Sequence, residues 1–78
     1  METIEIRDDF IKLGQLLKLA GLVDSGLEAK VVINNGEVSL NGGTEFKRGK
    51  KIKDGDIVSF RGKQVRVKAN IQVYFNDY

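Results

Sequence analysis

Residues 13–36 read LGQLLKLAGLVDSGLEAKVVINNG, and the spacing of their apolar side chains predicts two short helices. In the first half, apolar residues recur at i, i+3, i+4 and i+7, which places one apolar stripe on a helix. These residues are Leu13, Leu16, Leu17 and Ala20. Gly21 follows the stripe and is expected to end this helix, because glycine adopts the left-handed conformation found just past helix ends.

The second helix is predicted from its start and stop signals. Ser25 and Glu28 have the spacing of a capping box, in which the Ser25 hydroxyl accepts from the Glu28 amide and the Glu28 carboxylate accepts from the Ser25 amide. Asn34-Asn35-Gly36 is expected to stop the helix. Only about four residues, 21–24, connect the two helices, so the sequence predicts a tight helical hairpin.

Beyond Gly36 the apolar period changes to two, which is typical of strands. Asn41-Gly42 is a favoured pair for a tight hairpin turn, and Asp54-Gly55-Asp56 is expected to form another turn through aspartate side chains that bond the backbone. The strand-like segments are 3–7, 38–40, 57–60, 65–67 and 71–75. The predicted fold class is therefore α+β, with a two-helix hairpin packed on a small, mostly antiparallel sheet.

Length and composition narrow the class of protein. The chain has 78 residues and neither cysteine nor histidine, which predicts a single domain over 1–78 without disulfides or the usual zinc sites. The commonest general base is absent as well, so we expect no enzyme activity and no cofactor. The N-terminus lacks a secretory pattern and no apolar run approaches about 18 residues, so we expect a cytoplasmic protein with no membrane partner.

A dense cluster of cations is the main functional signal. Residues 1–37 contain four basic and seven acidic side chains, whereas residues 38–78 contain nine basic and four acidic side chains. Five of the nine stand between Glu45 and Asp54: Lys47, Arg48, Lys50, Lys51 and Lys53. Like charges repel, so these side chains, on or beside a loop, either keep that loop solvated or await a polyanion. Phe46 beside them is either a core residue under the loop or an aromatic that stacks on a base.

The start of the second helix is a second candidate for anion binding. Amides that follow Ser25 would point outward at the positive end of the helix. Gly26 has no side chain, so a phosphate could approach those amides, and Lys12, Lys18 and Lys30 could contribute charge. The alternative is an ordinary capped helix in which Gly26 suits a tight corner.

Several motifs in fixed order resemble a known family. Residues 13–21 (LGQLLKLAG), Ser25-Gly26 with Ala29-Lys30, residues 36–42 (GEVSLNG) and Gly55-Asp56 are similar to the small RNA-binding domain first described in the fourth small-subunit ribosomal protein. The resemblance covers about residues 10–67 and is greatest to stand-alone bacterial members of the YaaA and YbcJ type. It leaves 70–78 as a C-terminal strand or tail.

The resemblance implies non-enzymatic binding of structured RNA, of ribosomal or transfer type, and association with ribosomes or their precursors. It places RNA binding on the face of the two helices and the adjoining loop, in what is called an αL motif. The residues implied are Lys12, Lys18, Ser25, Gly26, Lys30, Lys47, Arg48, Lys50, Lys51 and Lys53.

The sequence also departs from the family pattern. The family commonly has an arginine where Gly26 stands, an aspartate where Gly14 stands and an arginine where Lys12 stands. Because lysine cannot reproduce the bidentate geometry of arginine, these departures are expected to weaken RNA binding or to shift it toward the basic loop.

A protein-interaction module is the alternative from a different class. Small sheets can accept a partner's strand at an exposed edge, and residues 71–78 (IQVYFNDY) offer apolar and aromatic groups. Binding to a protein with little dependence on salt would favour this alternative.

Overall fold

The computed structural model describes residues 1–70. In chain order, the elements are β1 (Glu2–Ile6), β2 (Phe10–Lys12), α1 (Leu13–Leu19), α2 (Gly26–Asn34), β3 (Val38–Leu40), β4 (Gly43–Thr44), β5 (Lys51–Lys53), β6 (Ile57–Phe60) and β7 (Lys63–Ala69). Five strands form one sheet in the order β1-β7-β6-β3-β4, and β2 pairs with β5 in a separate two-stranded sheet. The strand predicted over 71–75 lies outside the described residues.

The two helices begin and end near the predicted residues. Gly21 lies just past α1 with a φ of 71°, and Gly36 lies just past α2 with a φ of 74°. The Ser25 hydroxyl accepts from the Glu28 amide at 3.1 Å, as predicted. The other half of the capping box was wrong, because the Glu28 carboxylate accepts from the amide of Asp24 at 2.7 Å rather than from that of Ser25.

The main sheet is mixed, with one parallel pair among antiparallel ones. β1 pairs parallel with β7, whereas β7–β6, β6–β3 and β3–β4 are antiparallel. Asn41 and Gly42 both have positive φ values, 51° and 88°, as do Arg61 and Gly62 at 48° and 80°. Such two-residue turns match the right-handed twist of the strands that they join, so they fix the registers of the β3–β4 and β6–β7 hairpins.

The small sheet of β2 and β5 was not predicted. Ile11 pairs with Ile52, and Ile52 is completely buried. Because successive side chains of a strand point to opposite faces, the neighbours of Ile52, Lys51 and Lys53, both point away from the core and share one face. Two of the five clustered cations therefore lie on a strand, and the other three lie in the loop 45–50 before it.

The core lies between the helical hairpin and one face of the main sheet. The buried apolar side chains of the helices are Leu13, Leu16, Leu17, Ala29, Val32 and Ile33. Those of the sheet include Val38, Val58, Val65 and Val67. Each large apolar side chain buried in this way contributes about 1.5–3 kcal/mol, which holds the hairpin on the sheet. The predicted α+β class with a mostly antiparallel sheet is confirmed.

Within residues 1–70, neither helix is long and apolar enough to cross a membrane.

Candidate nucleic-acid interface

The basic loop 47–50 is attached to the start of α1 by two backbone hydrogen bonds. The Leu13 amide donates to the Lys50 carbonyl oxygen at 2.9 Å, and the Gly14 amide donates to the Arg48 carbonyl oxygen at 3.0 Å. Amides in the first turn of a helix have no partner within the helix, and here the loop supplies the acceptors. The loop is therefore held in a fixed position although its side chains repel one another.

The side chain of Arg48 packs directly over Gly14. A Cβ atom added to Gly14 would stand 2.7 Å from Cγ of Arg48 and 3.3 Å from its Cδ. Contacts this short are not tolerated, so only glycine at position 14 leaves room for the arginine stem. The glycine that interrupts the helical pattern thus marks a close approach between the helix and the loop.

Cations from the helix and from the loop meet at one groove. This groove has a volume of about 220 Å³ and runs between α1, the first half of α2 and the loop. Its lining residues are Lys12, Gly14, Gln15, Lys18, Gly26, Ala29 and Arg48. The structure therefore brings together Lys12, Lys18, Gly26 and Arg48 of the predicted site. Gln15 was not among the predicted site residues, although it lies one turn from Lys18 on the same helix.

The remaining clustered cations line a second, wider depression beside the groove. It has a volume of about 580 Å³ and is lined by Lys47, Gly49, Lys50, Lys51 and Lys53. The ammonium group of Lys51 lies 4.8 Å from the centre of the Phe10 ring, a distance typical of a cation–π contact. We refer to the groove and this depression together as the cationic surface.

The charges of the cationic surface have no ion-pair partners among the described residues. Within 1–70, the one salt bridge joins Arg61, on the β6–β7 turn, to Glu37, before β3. Nη2 of Arg61 lies 3.0 Å from Oε1 of Glu37. The described part of the chain also contains no group of three or more acidic side chains that could hold a metal ion. Within residues 1–70, the positive charge beside α1 is therefore not neutralised by an ion pair.

The start of α2 borders the groove, and its cap is already formed within the protein. The Ser25 hydroxyl is already occupied by the Glu28 amide, and the Glu28 carboxylate lies at this helix end. A carboxylate there offsets part of the positive potential of the amides. Gly26 borders the groove, whereas Lys30, one turn later, lines neither the groove nor the depression.

Phe46 is not a core residue, so of the two alternatives given for it, the side chain buried under the loop is wrong. Its side chain is 59% exposed. The ring edge rests on Gly36, where an added Cβ would stand 3.2 Å from Cε1 and 3.5 Å from Cζ. The ring thus packs against the end of α2 while remaining open to solvent.

Not all cations of the second half of the chain belong to this surface. Val65 and Val67 of β7 are buried, so Arg66 and Lys68 point to the opposite face of the sheet, away from the helices. Both are exposed. The basic side chains of the second half of the chain are therefore divided between two faces. The face beside the helices carries the clustered cations of residues 47–53.

These observations define a class, namely a small α+β domain with a cationic groove between a helical hairpin and a basic loop. The S4 domain family matches residues 4–68, and the chain belongs to this family.

Curated relatives are similar over most of the chain. The "Putative RNA-binding protein YbcJ" of Escherichia coli K12 is 42% identical over 59 residues, which cover 76% of this chain and 84% of that protein. The "Probable ribosome maturation protein RlbA" of Bacillus subtilis 168 is 41% identical over 59 residues, which cover 76% of this chain and 83% of that protein.

Solved structures share the fold. The solution structure of E. coli YbcJ, described as containing an αL motif involved in RNA binding, superposes with a TM-score of 0.69 at 38% identity and covers 88% of this chain and 89% of that one. The 30S ribosomal protein S4e of Thermoplasma acidophilum has a TM-score of 0.59 at 23% identity, over 77% of this chain and 32% of that one. The second likeness concerns the fold alone.

Proposed function

We propose that this protein is a non-enzymatic RNA-binding domain that holds structured RNA, ribosomal or transfer, on its cationic surface. The observation that carries the proposal is the attachment of the basic loop to α1, which gathers Lys12, Lys18 and Arg48 around one groove. The relative and the solved structure described as RNA-binding support the same function.

The physical basis is the displacement of counterions by phosphates. Each phosphate neutralised by lysine or arginine releases condensed counterions from the RNA, so affinity falls as salt rises. Cations that are already paired within the protein would have to lose a partner first. Those of the cationic surface have no such partner within residues 1–70, and binding would not break an internal ion pair.

Arg48 is proposed as the main anchor of the groove. Its guanidinium can bind a phosphate in the bidentate manner that lysine cannot. Its main-chain carbonyl is bonded to the Gly14 amide and its stem packs on Gly14, so part of its conformational freedom is lost before RNA arrives. Lys12 and Lys18, with Lys47, Lys50, Lys51 and Lys53 on the depression, are proposed to contact neighbouring phosphates. We give Ser25, Gly26 and Lys30 a smaller role at the start of α2.

Ribosomal RNA is the target that we favour, because one relative is named a ribosome maturation protein. Such RNA would be met in the cytoplasm. The chain contains neither histidine nor cysteine, which supports a binding role rather than a catalytic one.

A charge-reversal experiment tests the proposal. Lys18→Glu with Arg48→Glu reverses two groove cations, and Arg66→Glu with Lys68→Glu makes the same change in net charge on the opposite face of the sheet. We expect the groove variant to lose more than about a hundredfold in affinity for a fluorescein-labelled RNA hairpin, and the control to lose less than about tenfold. Fluorescence anisotropy gives the affinities, and circular dichroism checks that both variants are folded. Equal losses in both would show that only net charge matters and would overturn the proposed site.

Crosslinking in cells tests the class of RNA. After ultraviolet crosslinking and sequencing of the bound RNA, we expect reads concentrated on ribosomal RNA. Reads at background level, together with capture of a protein partner at high salt, would favour the protein-interaction module instead.

A further inference from the structure

We infer that Phe46 is a stacking platform for an unpaired nucleobase of the bound RNA. The inference rests on the proposed function, because it assigns a second contact to the same RNA. It adds a preference for unpaired nucleotides to a surface whose phosphate contacts do not depend on base identity.

The exposure of Phe46 distinguishes it from the other described phenylalanines. Phe60 is buried in the core, and Phe10 lies under the ammonium group of Lys51. Among the exposed large apolar side chains of residues 1–70, Phe46 is the one aromatic, and the others are leucine, valine and methionine. Base stacking requires an aromatic face that is open to solvent.

The ring of Phe46 is also held in place. Its Cε1–Cζ edge meets Gly36, and the methyl group of Thr44 lies close to the same point. Gly36 has a φ of 74° and no side chain, which allows the ring to approach the backbone. The ring is therefore held at one edge in a residue that is 59% exposed, and aromatic surface is left open to solvent.

The position of Phe46 connects it to the cationic surface. It directly precedes Lys47, and its Cα is at most about 7 Å from that of Arg48, since each extended residue spans about 3.3–3.6 Å. Aromatic side chains beside cations that hold the backbone form the usual arrangement for binding unpaired nucleotides. A base on Phe46 could therefore belong to the nucleotide next to a phosphate held by Lys47 or Arg48.

Two RNA probes separate stacking from phosphate binding. One is a hairpin with a long stem and an adenosine-rich loop, and the other is the same stem as a blunt duplex without the loop. We expect Phe46→Leu, which keeps an apolar side chain but removes the aromatic face, to weaken binding of the looped hairpin by about five- to a hundredfold. Binding of the duplex should change less than about twofold, because it offers phosphates but no unpaired base.

Tryptophan fluorescence gives an independent readout. The chain contains no tryptophan, so Phe46→Trp introduces a single probe that retains a stacking face. We expect its emission to be quenched by the looped hairpin and not by the duplex. Gln64→Trp places the control probe at an exposed position of β7 that points away from the helices, and its emission should not respond to either RNA.

The outcomes distinguish the two proposals. If the unmodified protein binds both RNAs with salt-dependent affinity, but Phe46→Leu binds the hairpin equally well and the tryptophan at 46 is not quenched, stacking is wrong and phosphate binding stands. If Phe46→Leu weakens hairpin and duplex equally, Phe46 supports the loop rather than a base, and the inference is overturned. If the unmodified protein binds neither RNA, both proposals fail.

Discussion

Two neighbouring segments use their polar side chains in opposite ways: the basic loop with β5, residues 47–53, and the turn that follows, residues 54–56. In the turn, Asp54 accepts from the Ala69 amide at 2.8 Å. Asp56 accepts from the Lys53 amide at 2.8 Å and from the Asn41 side chain at 3.0 Å. In the basic segment, the side-chain charges have no ion-pair partner within residues 1–70.

This difference separates structural polar groups from those available to a ligand. The carboxylates of the turn accept from backbone amides of β5 and β7 and from the Asn41 side chain, so replacing them costs stability. Within residues 1–70, the cations of the loop form no ion pair, and it is the loop backbone that is bonded to α1. Stability and RNA binding should therefore respond to different substitutions, and each prediction below tests that separation.

The largest effect on stability is expected for Asn41→Ala. The Asn41 side chain accepts from the Ile57 amide at 2.9 Å and donates to Asp56 at 3.0 Å, and its φ is 51°. Losing these bonds should lower the free energy of unfolding by about 1–3 kcal/mol, with a further cost of about 1 kcal/mol for alanine in the left-handed conformation. Urea denaturation measures the loss in the free energy of unfolding. The affinity for RNA, measured by fluorescence anisotropy, should be unchanged.

Asn41→Gly is the matched control for that prediction. Glycine also loses the side-chain bonds but adopts a positive φ without strain, so it should be less destabilised than the alanine variant. If the folded Asn41→Ala protein lost RNA affinity as well as stability, the assignment of stability to the turn and of RNA binding to the basic segment would be wrong.

Gly14→Ala is expected to lower RNA affinity while leaving stability nearly unchanged, and its effect should be smaller than that of Asn41→Ala. The new Cβ would stand 2.7 Å from Cγ of Arg48, so the arginine must leave its position over α1. Alanine favours the helix by about 0.5–1 kcal/mol, and the free energy of unfolding should change by less than about 1 kcal/mol in either direction. RNA affinity, measured by anisotropy, should fall several-fold.

Gly49→Ala is the control for Gly14→Ala. Gly49 lies in the same loop, its φ is not positive, and a Cβ there meets no atom within 4 Å. It should keep its stability and, although Gly49 lines the depression, it should lose less affinity than Gly14→Ala, because the Arg48 stem keeps its position over α1. An undiminished affinity in Gly14→Ala would mean that the position of Arg48 over the helix is unimportant for binding.

Local signals allowed the helical hairpin to be predicted from the sequence. The apolar stripe from Leu13, the cap at Ser25 and the glycines at 21 and 36 act within a few residues of the helix ends. The tight turn at Asn41-Gly42 is equally local. Such features depend on neighbours along the chain, which is why residue patterns reveal them.

The elements that escaped prediction depend on contacts between distant residues. The parallel pairing of Glu2 with Val65 joins the two ends of the described chain, and no local pattern signals it. β2 and β5 have only three residues each, with the sequences FIK and KIK, so neither is long enough to show the apolar alternation of a strand. The exposure of Phe46 and the packing of Arg48 over Gly14 likewise follow from where the loop meets the helices.

The central claim is that RNA binds where the basic loop is attached to α1, and amide chemical shifts test this most directly. In a titration of the ¹⁵N-labelled protein with the looped hairpin, we expect the largest changes at Leu13, Gly14 and residues 46–50. The amide signals of the turn 54–56 and of β7 should move little. If the largest changes instead mapped to β7 and its outer face, with Gly14 and Arg48 unaffected, the account given for this protein would be contradicted.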